Sequence, residues 1–457
     1  MCGFCSDFRR RGRGQKGYVL ILGVLMLFFI LVPAAGLAID VGMMYLVKSV
    51  LGAASDGAAL AGARALNRGS DDAAQRANAE ATANTYLHAN FPTGYMWSSN
   101  LQVSSMAAID SQYIRSITTT ASVQMPLIFM RFFRTEHATV STSSKATRRD
   151  ANVMFVMDRS GSLGSGVGSA CEMLKAAAKL FVDRFSEGRD NVGLITFATN
   201  SRVDSPLSTT FKTAIDNPLT PINCNGFTNM SQGLWEAYDA LATLGQTGAL
   251  NAILLFTDGL PTAITQDFPV RPNPDTCTPK PTITGVITYS SPYGVSNMDY
   301  PPDQQALTTA HNCGFLTSNL GTHLQYAPLT DHWQNPLDTG GGYTRYKSVT
   351  HSGAGLSFGS TNIQNFSTNA ADSAGWRIRN GVLSATSGRS LAGVVIFTIG
   401  YGASSDPTLL KRIANDVTLL PNPVAAGAQG KYRYAGDLTQ LNDAFMAIAS
   451  EVLRLAQ

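Results

Sequence analysis

From Tyr18 to Ile39 every position is apolar or small, and no charge interrupts the run. About twenty such residues cross a bilayer as a helix, so the pattern predicts a membrane span over 18–39. Arg9, Arg10, Arg11, Arg13 and Lys16 lie in the segment 1–17 before it. That basic bias places the amino terminus in the cytoplasm and the rest of the chain outside, periplasmic or extracellular. A cleavable secretory signal is the rival reading, with Ala34-Ala35-Gly36 as its small-residue cleavage site. The run is longer than a signal core and helical sequence continues through Asp40, which favours a retained single-pass anchor in the cell membrane.

Beyond the span the pattern changes twice. Residues 40–66 are Ala-rich and predict a helical stalk, and 67–150 predict a small α+β region. In that region Asp71–Asn90 has helical spacing, and Leu101–Met106, Ile114–Val123 and Ala138–Ser144 alternate apolar and hydroxyl residues as strands do. Pro126–Phe133 is too short to span a membrane and reads as core or as a helix lying on the sheet.

From 151 to 457 apolar strands alternate with amphipathic helices, the mark of an α/β domain with a mostly parallel, doubly wound sheet. The strands are 153–158, 191–198 with 201–205 as an edge partner, 252–258 and 393–400. The helices are 170–185, 228–244, 371–384, 406–415 and 437–455. Between them, about 261–369 is rich in Pro, Gly, Thr, Asn and Tyr and shows little periodicity. This loop insertion leaves directly after Asp258, and a lid or partner-recognition role stands against a tolerated surface insertion.

Composition adds little and excludes one class. The net charge is +3 and charged residues make up 14% of the chain. No basic patch with interleaved aromatics follows the amino terminus, so nucleic acid is not an expected partner.

The chemistry sits at strand ends. Val153–Asp158 ends in a carboxylate, and Ser160 and Ser162 follow at alternate positions before a Gly-rich turn. Thr228 precedes a helix, and Asp258 ends the strand Ile253–Asp258. Ligands of open α/β sheets sit in the crevice outside the carboxyl ends of strands. Hydroxyls and carboxylates without His or Cys suit a hard divalent cation: Mg2+ first, with Ca2+ or Mn2+ as alternatives. These five residues resemble the metal-ion-dependent adhesion site of the von Willebrand factor A family, with its Asp-x-Ser-x-Ser, Thr and Asp-Gly. Thr398-Ile-Gly-Tyr-Gly402 matches a further pattern of that family. The resemblance covers about 152–258 and 371–455. It implies a Rossmann-like domain in which the two Ser and the Thr bind metal directly, the Asp residues act often through water, and a partner's carboxylate takes the open position.

The amino-terminal half carries a second resemblance. An apolar span, Asp40-Val-Gly42, Tyr45, and an Ala-rich helix in which Asp56-Gly precedes Ala58-Ala-Leu-Ala61 resemble TadG-like proteins of Tad/Flp pilus systems. Pilin-like relatives carry a Gly followed five residues later by a Glu. Gly17 has no acidic residue in the stretch after it, which argues against assembly as a pilin subunit.

Cys2 and Cys5 fall on the cytoplasmic side, and a lone Cys-x-x-Cys is weak evidence of metal or redox work. Cys171, Cys224, Cys277 and Cys313 fall outside, where thiols oxidise. Cys171 and Cys224 flank the metal face and Cys277 and Cys313 lie in the insertion, so two local disulfides are expected. Gly355-Leu-Ser357-Phe-Gly359 matches a serine-hydrolase pattern, but the motif needs a strand before it and a helix after it. Gly164–Gly168 hints at a dinucleotide loop whose sixth position is Ser169. His323 and His332 lack a third ligand for zinc. The expectation is therefore no enzyme. It is a membrane-anchored pilus-assembly or adhesion component that binds an acidic protein partner, a pilus-assembly component or a host or surface ligand, through a divalent cation. A structural envelope protein whose metal only stabilises the fold, and a generic surface adhesin outside a Tad system, are the alternatives.

Overall fold

The computed structural model describes residues 16–66, 72–109, 114–269, 282–296, 326–417 and 427–456. The chain divides into two compact units, Met1–Ile109 with Arg115–Thr147, and Asp110–Ile114 with Arg148–Gln457.

The first unit begins with helix α1 (Lys16–Met26), a five-residue π turn (Leu27–Leu31) and α2 (Val32–Ala65). Large apolar side chains from Tyr18 to Val32 are 47–74% exposed, the surface a bilayer would cover. Among the described residues, this is the one helix long and apolar enough to cross a membrane. Beyond Asp40 the helix is no free stalk. Val47, Leu51, Ala54 and Ala58 form a buried helical stripe. The stripe shares a core with Ala79, Ala83 and Leu87 of α3 (Asp72–Asn90). Ile117, Ala121 and Val123 of a three-stranded sheet complete it. That sheet has the order β1 (Ser99–Ile109), β2 (Ile114–Pro126), β3 (His137–Arg149). Small residues allow the approach: a Cβ on Gly62 would meet the Ile117 Cδ1 at 2.6 Å and the Ala79 carbonyl oxygen at 3.0 Å. The expected boundary at 66–67 therefore runs through a single core. Pro126–Phe133 holds only a short 3-10 turn, Met130–Phe133.

The second unit is built on β4 (Ala151–Asp158), β5 (Asn191–Phe197), β6 (Ser201–Ser208), β7 (Leu250–Thr257), and two later strands, β13 (Val395–Tyr401) and β14 (Tyr432–Ala435). Their order is β14-β13-β7-β4-β5-β6, parallel except for the antiparallel edge pair β5–β6. Every residue of β4, β5 and β7 is buried, as a sheet covered on both faces requires. Val153, Phe155 and Met157 face α4 (Ala170–Val182), α5 (Lys212–Leu219) and α9 (Leu438–Leu455). Met154 and Val156 face α6 (Met230–Leu244), α7 (Ser360–Arg379) and α8 (Pro407–Ala414). This is the doubly wound, mostly parallel α/β sheet that the alternation predicts.

The insertion departs from expectation. Strands β8 (Ala263–Pro269), β9 (Thr282–Thr288) and β10 (Ser291–Ser296) form an antiparallel sheet, and β11 (His351–Ser352) and β12 (Gly355–Leu356) a hairpin. Ile264, Phe268, Ile287, Leu337, Leu356 and Phe366 make a core of their own. Helix α7 starts at Ser360 rather than near Ala371. Its first half reads as a polar loop because its asparagines serve the backbone of the preceding chain. Asn362 Nδ2 donates to the Thr350 carbonyl at 3.0 Å and the Ser357 carbonyl at 2.7 Å. Asn369 Nδ2 donates to the carbonyls of Leu337 and Lys347, both at 2.8 Å.

Candidate metal centre at the carboxyl end of the sheet

Strand β4 ends on Asp158, which has no exposed surface. Parallel pairing of Met157 with Phe256 sets the ends of β4 and β7 side by side. Thr257 Oγ1 accordingly donates to Asp158 Oδ2 at 2.5 Å. The chain then turns back, and the Ser160 N–H donates to Asp158 Oδ1 at 2.7 Å. The Ser160 and Ser162 hydroxyls are 3.0 Å apart, and Ser162 Oγ donates to Asp258 Oδ1 at 2.7 Å. Four of the five candidate residues thus share one hydrogen-bonded chain. Ser162 is its exposed link, while Asp158, Ser160 and Asp258 are buried.

Thr228 comes from the loop before α6, and that loop is tied to the first one by its backbone. The Gly161 N–H donates to the Gly226 carbonyl at 3.0 Å, and the Asn225 N–H to the Arg159 carbonyl at 2.8 Å. Gly226 has φ +93, and a Cβ there would meet Thr199 Oγ1 at 2.7 Å, so the close approach requires glycine. A Cys171–Cys224 disulfide joins the start of α4 to the same loop. Cys277, Cys313 and His323 lie outside the described residues, as do Cys2 and Cys5.

Two residues of this region escaped the sequence reading. Thr257, at the end of β7, had a visible signal: a hydroxyl directly before the strand-end Asp258. Thr262 had none, because it sits inside the insertion. Its Oγ1 accepts the Thr228 N–H at 2.9 Å, and its own N–H donates to the Thr228 carbonyl at 3.0 Å. The base of the insertion is therefore part of the scaffold that holds Thr228.

The electrostatics are unbalanced. Burial, and then the charge of Asp258, push the Asp158 carboxyl up to about 7, against hydrogen bonds from Thr257 and Ser160. Burial also raises Asp258. The nearest basic residue in sequence, Arg159, directs its guanidinium to Thr196 Oγ1 at 3.2 Å and the Asn200 carbonyl at 3.4 Å. Among the described residues no three His, Cys, Asp or Glu side chains converge as a metal cluster. A cation here would depend on two carboxylates and on hydroxyl oxygens, a donor set that fits a hard divalent ion.

The remaining motifs lead elsewhere. Ser357 follows the two-residue strand β12 and precedes α7, contrary to its expected place in a loop, yet its hydroxyl donates to the Thr350 carbonyl at 3.2 Å and lies 3.3 Å from Asn362 Nδ2. Ser169 caps α4 by accepting the Glu172 N–H at 3.3 Å. His332 Nδ1 pairs with Asp267 Oδ1 at 2.9 Å.

Two family models match segments of the chain. Residues 153–260 match the family model of the von Willebrand factor type A domain. Residues 17–65 match that of the putative Flp pilus-assembly TadE/G-like family. The uncharacterized protein YfbK of Escherichia coli K12 is 33% identical over 110 residues, which cover 24% of this chain and 19% of that relative. Among solved structures, the PilB minor pilin of Streptococcus sanguinis has a TM-score of 0.40 at 16% identity, covering 80% of this chain and 81% of its own. The vWF domain of the type V pili tip protein Mfa5 of Porphyromonas gingivalis has a TM-score of 0.38 at 18% identity, covering 68% and 98%. A mussel byssus protein, PTMP1, with a zinc-occupied MIDAS motif, has a TM-score of 0.34 at 13% identity, covering 67% and 46%. The chain carries a TadE/G-like segment at its amino end and a von Willebrand factor type A domain after it, the organisation of a TadG-like protein.

Proposed function

We propose that this protein is a membrane-anchored component of a Tad-type pilus or adhesion system that binds a protein partner through a divalent cation. Asp158, Ser160, Ser162, Thr228 and Asp258 would hold the ion, Mg2+ in the first place, with Ca2+ and Mn2+ as alternatives. The bound ion supplies positive charge between two buried carboxylates and a position for a partner's acidic side chain. No catalytic step is assigned. The observation that carries the reading is the pair Asp158 and Asp258, both raised by burial and linked through Ser162 and Ser160. Such a pair is costly as it stands and is offset by a cation. The amino terminus would face the cytoplasm, and the carboxyl-terminal unit the periplasm or the exterior.

The test uses the full-length protein in detergent with co-expressed pilus-assembly components. Partner capture should be lost with a chelator and return with Mg2+. Capture that persists in chelator while thermal stability falls would favour a purely structural ion. No Mg2+ binding by calorimetry would remove the metal reading altogether.

A further inference from the structure

At about 1.5 Å per residue the helical stretch from Tyr18 to Ile39 is about 33 Å long, close to the thickness of a bilayer's hydrocarbon core. Asp40 follows at the level where headgroups and water begin. Its side chain is nevertheless fully buried. The Ile128 N–H donates to Oδ1 at 2.9 Å, and the N–H groups of Phe129 and Met130 donate to Oδ2 at 3.0 and 2.9 Å. These donors open the short turn between β2 and β3. One helical turn earlier, Gly36 lies against the Phe129 ring, where an added Cβ would meet it at 2.4 Å. The turn is thus fastened to the helix at 36 and 40, on the last part of the span.

The outward side of this turn is unusual for a surface in water. Ile128 is 45% and Phe133 63% exposed. Arg131 and Arg134 stand exposed in the same turn, and Glu136, also exposed, follows it. The helix itself continues with exposed Val41, Tyr45 and Leu46. A further exposed aromatic, Trp97, belongs to a turn that touches α2 and follows α3, whose Asn90 lines one cleft with Ser49 and Ala53. Aromatic rings at the end of a span are a mark of the headgroup layer at either face. Guanidinium groups pair well with phosphate oxygens, and their stems tolerate the apolar boundary.

We propose that the Leu127–Arg134 turn is a foot that rests in the phospholipid headgroup layer at the outer end of the span. Ile128 and Phe133 enter the layer, Arg131 and Arg134 bind lipid phosphates, and Asp40 locks the foot to the helix. The span then has a fixed depth, and the small α+β core a fixed height above the membrane. This inference rests on the membrane span and is independent of the cation site.

The test places a photoactivatable benzoylphenylalanine at Phe133, at Trp97 or at Leu60 of the full-length protein. Each variant is reconstituted in vesicles of phosphatidylethanolamine and phosphatidylglycerol. Leu60 is the control, being exposed and about 30 Å along the helix from Asp40. After illumination, mass spectrometry should find about tenfold more lipid adduct at 133 and 97 than at 60, since that distance equals a whole hydrocarbon core. Equal yields at 133 and 60, or protein–protein adducts at 133 in place of lipid, would overturn the foot and point to a second copy or a protein partner. Asp40→Asn keeps the size but not the paired carboxylate oxygens. It should lower lipid adducts at 133 several-fold with helix content unchanged by circular dichroism. An undiminished yield would overturn the lock.

Discussion

Asp40 and Asp158 are both aspartates without exposed surface, one in each unit, and their surroundings differ in kind. Asp40 faces three backbone N–H groups, each about 3 Å away and fixed by the fold of one turn. Neutral dipoles of that number satisfy a carboxylate without any other charge. Asp158 also has three donors, the Ser160 N–H and the hydroxyls of Thr257 and Ser160, but a second carboxylate, Asp258, ends the same chain of hydrogen bonds and raises it. The first arrangement is complete and holds two pieces of chain together. The second carries an excess of negative charge, which is the physical reason to propose a cation there. Burial and donor number alone do not separate an anchor from a ligand; the charge placed beside the carboxylate does.

The largest effect should come from Asp158→Ala. Mg2+ binding by calorimetry should fall below detection, because the strand-end carboxylate supplies much of the charge opposing the ion. In chelator the same variant should lose little stability, since one of two like charges is gone. Unchanged Mg2+ affinity would end the contrast with Asp40. Asp40→Ala should behave in the opposite way. Three N–H groups lose a charged acceptor, and urea unfolding of the full chain in detergent should show a loss of about 3 kcal/mol. Mg2+ affinity should not change, and a stability equal to wild type would mean that the clamp contributes nothing.

A smaller effect is expected from Thr262→Val. The variant keeps shape but removes the acceptor of the Thr228 N–H. Mg2+ affinity should drop several-fold, or about 1 kcal/mol, through a looser Thr228 loop. Full affinity would show that the base of the insertion is indifferent to the site.

The smallest effect concerns a third kind of carboxylate, one with a titratable donor. Burial opposes the charge on His332, but the hydrogen bond and charge of Asp267, with the charge of Asp331, outweigh it and raise its pKa above 6.5. Burial opposes ionisation of Asp267 too, yet His332 and Thr284 hold it below 3.8. A raised histidine contributes stability that is full below its unfolded value and is lost as pH rises through the folded one. The stability difference between wild type and His332→Gln should therefore shrink as pH climbs above 6.5. It should shrink again as acid titrates Asp267 through its lowered value. A difference that is flat with pH would mean that the pair contributes nothing measurable.

How far the chain could be read without coordinates follows from the range of each interaction. The strands ending at Asp158 and Asp258 were legible, because apolar runs broken by one carboxylate are local patterns. The insertion was not. Ile264 and Phe268 sit in a short run with Thr, Gln and Asp, and the start of α7 is a string of Ser, Thr and Asn. A polar run reads as a loop unless it is known that Asn362 and Asn369 bind backbone carbonyls elsewhere. The Ala-rich helix was legible as a helix. Its role as a wall was not, because alanine stripes bury themselves only when a partner such as α3 is there to receive them.

The sequence by itself determined the apolar span, the main strands and helices on either side of the insertion, and the place of five candidate oxygen ligands at strand and loop ends. Each depends on periodicity or on neighbours within a few residues, which a linear pattern records. Tertiary structure alone decided that Asp40 is satisfied by a turn nearly ninety residues away. It also decided that Thr228 hangs on Thr262 and that Asp158 stands beside a second carboxylate. Those outcomes rest on hydrogen bonds and charges brought together across the chain, and a buried polar group takes its meaning from the partners folding gives it.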